Sequence, residues 1–160
     1  MQLNHFPKAD SYKKFKTSVK FENYLHTVKA RRHRVTLTKY RLSDHVLMIE
    51  TGRHKTPIIP RAARFCPHCP NIVEDEQHFL TDCVAYDRSL LMARFSESCP
   101  QFENLNNENK FIYLMSQEDE GLSNFMALQL HEWMMQRLDF KNQDREASQY
   151  FLLFTVDNPS

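Results

Sequence analysis

Cys66, Cys69, His78 and Cys83 stand in the pattern C-x2-C-x8-H-x4-C, inside the run Phe65 to Cys83. Two thiolates two residues apart can reach one ion from a single tight turn. A later His and Cys can then close a tetrahedron around it. Three thiolates and one imidazole fill the coordination shell of Zn²⁺ and leave no open position, which is the composition of a structural site, not a catalytic one. Buried thiols, a redox Cys-x-x-Cys and a disulfide are the competing readings of the first pair. The second His/Cys pair, within about twenty residues, favours zinc.

The elements needed to bring the four together follow from the same stretch. Pro67 and Pro70 favour a turn around the first two ligands. Glu74-Asp75-Glu76 suits the first turn of a helix, where carboxylates complement the positive end. His78 and Cys83 are five residues apart, about 500° of ideal helix, so their side chains would diverge by about 140°. The helix must therefore end or distort near Asp82. His68, between the first two cysteines, is a fallback ligand, and Cys99 lies too far along the chain to belong to the set.

With 160 residues, 41% hydrophobic and 26% charged, the chain has the make-up of one soluble globular domain. There is no N-terminal apolar run and no stretch long enough to span a bilayer, so an intracellular protein of the nucleus or cytoplasm, without a membrane partner, is expected. The net charge of +1 hides a split. Roughly 15 Lys/Arg face 4 Asp/Glu before Cys66, and roughly 6 face 16 from there on. The basic front suits phosphate backbones. An internal dipole without any partner is the plain alternative.

In chain order, 1–10 reads as a flexible arm and 11–60 as a basic helical segment. The zinc-binding module is 61–86, an acidic helical body follows over 87–140, and 141–160 is a tail, either disordered or docked on the body. The fold class expected is all-α, a small helical domain organised around a Cys3His zinc-knuckle-like module. One amphipathic helix is expected over 11–28. A second, over about 35–50, would bury Val35, Leu42, Val46 and Ile49 and carry Arg31, Arg34, Thr38, Arg41 and His45 in a neighbouring stripe. Such a stripe can follow a phosphate backbone, though a solvated helix face is the competing reading. Gly52 falls where that helix should stop. The longest helix is placed at about 122–138, and Tyr150 to Val156 has a β-like composition.

The ordered set Leu37 to His45, Ile49 to Arg53, Pro60-Arg61, Cys66-Pro67-His68-Cys69, Glu74 to Leu80, Cys83 and Tyr86-Asp87 resembles a known family region. It looks like the zinc-binding segment at the C-terminal end of non-LTR (LINE-type) retrotransposon reverse transcriptases, over roughly residues 12–138. The resemblance implies a segment that follows a polymerase and contacts template RNA or target DNA during target-primed reverse transcription. It supports Cys66, Cys69, His78 and Cys83 as ligands, and implies Lys39, Arg41, His45 and Arg53 as nucleic-acid contacts. The chain carries no Tyr-x-Asp-Asp motif and has no room for a polymerase palm or an endonuclease, so it looks like a detached tail without the polymerase activity.

The expectation is thus a non-catalytic, Zn²⁺-binding, nucleic-acid-binding module. Its contacts are drawn from Lys29, Arg31, Arg32, Arg34, Lys39, Arg41, His45, Arg53, Arg61 and Arg64. RNA or DNA is the expected partner, with a reverse-transcriptase polypeptide as a further one. The alternative is a zinc-stapled protein-interaction scaffold that binds no nucleic acid. A thiol oxidoreductase using Cys66 and Cys69 is disfavoured, because the βαβ surroundings such enzymes need are missing.

Overall fold

One long helix carries three of the other helices. The computed structural model describes residues 10–16 and 20–155, with side chains as far as 143. Eight α-helices follow in order among the described residues: α1 (Asp10–Phe15), α2 (Tyr24–Thr27), α3 (Arg31–Arg41), α4 (Met48–Thr51), α5 (Glu76–Thr81), α6 (Ser89–Ser98), α7 (Asn107–Met115) and α8 (Glu120–Thr155). Short 3₁₀ turns occupy Gly52–His54, Arg61–Ala63 and Phe102–Asn104. The described residues contain no β-strand, only an isolated antiparallel bridge between Phe65 and Val73.

Leu122, Met126, Ala127, Leu130, Trp133 and Met134 recur in α8 at steps of three and four, so a single stripe is buried. Against that stripe pack α2, α3 and α6, while α1 and α5 pack on α7. The helix starts close to the expected 122 but continues to Thr155, through most of the run read as β-like. The expected tail is thus helical over most of its length; of the expected arm, 1–10, residues 1–9 lie outside the described residues and Asp10 begins α1.

The single helix expected over 11–28 is replaced by α1 and α2. Ten residues of unbroken helix would hold Tyr12 and Glu22 about 15 Å apart along the axis. Instead the Tyr12 hydroxyl donates to the Glu22 carboxylate. Glu22 in turn accepts from Arg41, 2.9 Å away, and pairs with Lys16 at 3.1 Å. The chain folds back so that one carboxylate can meet three partners.

The helix expected over 35–50 also breaks in two. After α3, Ser43 takes a left-handed φ of 53°, and the Asp44 N–H donates to the Lys39 carbonyl at 2.8 Å. This is the C-terminal arrangement usually built around glycine. Serine is held there because its hydroxyl donates to Glu76 at 2.6 Å. The break turns the faces of α3. Leu37, Tyr40 and Arg41 are buried, whereas Val35 and Leu42, expected inside, are 43% and 51% exposed.

Gly52 has an ordinary helical φ of −64°, so left-handed freedom is not its use. A Cβ there would lie 2.8 Å from Cγ and 2.9 Å from Cδ of Arg64. Glycine lets that side chain cross the backbone, where its guanidinium donates to the carbonyls of Ile49 (2.7 Å) and Ile59 (3.0 Å). Gly52→Ala should displace Arg64 and cost about 1–3 kcal/mol, an overpacking penalty readable as a lowered urea midpoint.

A deeply buried ion pair joins Arg137 of α8 to Glu74, at 2.7 and 3.1 Å, with both side chains almost fully buried. Arg137→Met would leave the Glu74 carboxylate inside without its cation. Removing one partner of such a pair costs about 3–5 kcal/mol. Denaturant unfolding of the metal-saturated variant should show that loss; a change under 1 kcal/mol would mean the pair holds nothing together.

Candidate metal centre and basic groove

Residues 64–75 form a tight loop. The Cys66 N–H donates to Ile72 (2.7 Å), the Ile72 N–H to Cys69 (3.3 Å), and the Glu74 N–H to Arg64 (2.9 Å). Asn71 supplies the left-handed residue of the turn, with φ of 60°. Asp75 then caps α5, its carboxylate accepting from the His78 N–H at 2.8 Å. The helix stops at Asp82, whose φ is −127°, and the Cys83 N–H turns back to the His78 carbonyl at 2.8 Å. That stop is the distortion the five-residue spacing requires, and it sends His78 and Cys83 to the same side.

The ligand atoms of Cys66, Cys69, His78 and Cys83 all lie within 4.8 Å of one another, and all four residues are buried. Sγ of Cys83 is 3.6 Å from that of Cys66 and 3.9 Å from that of Cys69. A disulfide needs about 2.05 Å. Two thiolates on one tetrahedral zinc would stand about 3.8 Å apart, from a Zn–S distance near 2.3 Å. Nε2 of His78 is buried with no hydrogen-bond partner. The arrangement is compatible with a metal site. His68 stays out of the cluster: its ring packs edge-on against Phe140 at 4.8 Å.

Burial, with the neighbouring thiols, pushes the Cys83 thiol up to about 12. Burial also raises the Cys66 thiol and lowers the His78 imidazole. A cation reverses the balance for the thiols by favouring their charged forms. Arg88 holds the far side of the loop, donating to the carbonyls of Leu80 (2.9 Å), Tyr86 (2.7 Å), Phe79 and Cys83, over the Trp133 ring at 5.4 Å. Nothing in the spacing of the ligands marks Arg88 in advance; its place just after the last ligand, where α5 leaves its carbonyls unpaired, is the only signal.

Glu76 opens the first turn of α5 as expected, with Glu74 just before the cap, and both carboxylates are in addition buried tethers. Glu74 accepts from Arg137 and from the Met48 N–H at 2.6 Å. Glu76 accepts from Ser11 (2.6 Å), Ser43 (2.6 Å) and His45 (2.8 Å). Burial works to raise the Glu76 carboxyl, but the His45 hydrogen bond and charge and the two hydroxyls outweigh it and hold it at about 2.

The ten cationic residues expected at nucleic acid divide sharply. Arg41 is buried, paired with Glu22, donating to the Met115 carbonyl and lying 4.4 Å from the Phe15 ring centre and 4.9 Å from that of Tyr24. His45 is closed over Glu76, Arg64 is locked beside Gly52, and Arg34 donates to the Val28 carbonyl at 2.8 Å. The stripe of Arg34, Thr38, Arg41 and His45 therefore turns inward, and this corrects the sequence reading for Arg41, His45 and Arg64. Arg53, Arg61 and Lys29 sit in ion pairs with Glu50, Asp10 and Glu120. Exposed on α3 are Arg31, Arg32 and Lys39. They border a groove of about 660 Å³ between α3 and α8, floored by Val35, Met134, Met135 and Leu138.

The chain matches no family model, no curated protein and no solved structure. No helix among the described residues is long and apolar enough to cross a membrane.

Metal uptake should displace the thiol protons, so affinity should rise with pH through the neutral range. Calorimetry in buffers of different ionisation heat should report net proton release at pH 7. Cys83→Ala should lose stoichiometric metal, while His68→Ala should keep it. Equal retention by both would put the ion elsewhere.

Proposed function

We propose that the chain is a zinc-stapled, non-catalytic nucleic-acid-binding module, akin in role to the tail of a LINE-type reverse transcriptase. Zinc is the ion favoured by the donor set: three thiolates and one imidazole, with sulfur separations suited to a tetrahedron. Together the four ligands fill its shell, and the ion's work is to close the knuckle-like loop. Nucleic acid is the partner favoured by Arg31, Arg32 and Lys39. These three cations lie on one face of α3, and none is in an ion pair with a described residue. That face carries the reading, in place of the inward stripe.

A second reading, a zinc-stapled protein-interaction scaffold, is favoured by the apolar floor of the same groove. An amphipathic partner helix would use that floor for its anchors. The two readings part on salt. Three phosphate contacts give a slope of log affinity against log salt of about −2 to −3.

Metal analysis of the purified chain should find one zinc per chain. Fluorescence anisotropy with RNA and DNA oligonucleotides should give that salt slope. Arg31→Ala, Arg32→Ala and Lys39→Ala should each flatten it by about 0.7–0.9 while leaving the metal content unchanged. Arg41→Ala should act on stability instead. Absence of binding at low salt would remove the nucleic-acid reading and leave the scaffold.

A further inference from the structure

We propose that the groove between α3 and α8 takes an unpaired nucleic-acid strand, bases turned inward and phosphates on its rim. This rests on the nucleic-acid reading above and specifies the form of the ligand. The argument is the mixed chemistry of the lining. Cations stand on the rim: Arg31, Arg32 and Lys39 are exposed and span residues 31–39 of the helix, about 12 Å. The floor between them and α8 is apolar, and Val35 and Met135 remain 43% and 41% exposed.

A duplex contacts such a surface with its phosphates alone, because stacking covers the faces of its bases. An unpaired strand can lay a base on the floor as well. The groove also offers an imidazole platform. His131 lies in the lining, its Nδ1 2.8 Å from the Thr36 hydroxyl, and its ring is 5.1 Å from that of His33. Aromatic and imidazole planes are the surfaces on which splayed bases stack.

Asp44 is also among the lining residues, and a carboxylate accepts from the exocyclic amino groups of unpaired bases. With a volume of about 660 Å³ the groove is in the range of sites that enclose small planar ligands.

The test uses the full zinc-loaded chain and four fluorescent probes: a mixed-sequence single-stranded RNA, the matching single-stranded DNA, the DNA duplex, and an acidic amphipathic helical peptide. Val35→Gln and Met135→Gln remove apolar floor at exposed positions without adding charge. Both single strands should bind at least tenfold tighter than duplex at equal salt. Each floor variant should weaken single-strand binding about tenfold, leaving duplex binding and the salt slope unchanged. Circular dichroism and metal content report folding, and either variant alone suffices if the other is unstable. Equal binding of strand and duplex, with floor variants silent, overturns the groove inference while the module remains a phosphate binder. Binding of an acidic helical peptide with no binding of any nucleic acid overturns both.

Discussion

Glu74 is the point through which the loop, the first half of the chain and the long helix are joined. Its N–H closes the loop onto Arg64, its carbonyl accepts from Ile49, and its carboxylate accepts from Met48 and Arg137. A carboxylate buried to this degree is tolerated only when its lone pairs are filled by charged or polarised donors. That requirement fixes the start of α4 and the register of α8 against the loop. Two residues on, Glu76 makes the matching attachment on the other side, to Ser11, Ser43 and His45. The extended backbone at Asp75, with φ of −104° and ψ of 178°, lets Glu74 and Glu76 serve separate neighbours.

Much of the centre was legible in the sequence, because metal ligation constrains spacing tightly. The quartet converges, and α5 stops where the angular argument needs it to stop. The long helix was legible as well, since a stripe repeated over four turns has few other readings. The inward stripe of α3 was not. Periodicity groups residues into faces but does not say which polar face is inside. Arg41 looked like a phosphate contact because exposed and caged arginines are identical in composition. Its cage comes from Phe15 and Tyr24, and its carboxylate from Glu22, a fold-back no local pattern encodes. The left-handed turn at Ser43 was hidden for the same reason: its stabilising partner, Glu76, is 33 residues away.

The charge split likewise resolves into specific partners. Lys14 meets Glu108, Lys29 meets Glu120 and His45 meets Glu76, so part of the basic front is neutralised by the acidic back. The internal dipole and the external surface are therefore both present, on different residues. Three thiolates with one divalent cation leave a net charge of about −1. Arg88 donates to the carbonyl of Cys83 and Arg137 pairs with Glu74 of the loop, while Arg61 pairs with Asp10.

The position of Arg137 on α8 connects the loop to the groove. Met134 and Leu138, which floor the groove, flank Arg137 within one turn of the same helix. A helix held at Arg137 can neither slide nor rotate without dragging those side chains past Val35 on α3. Glu74 of the loop holds α8 through Arg137, and α8 lines the groove together with Arg31, Arg32 and Lys39 of α3. The Cys3His cluster and the groove are therefore joined by a chain of buried contacts, although none of the four clustered residues lines the groove.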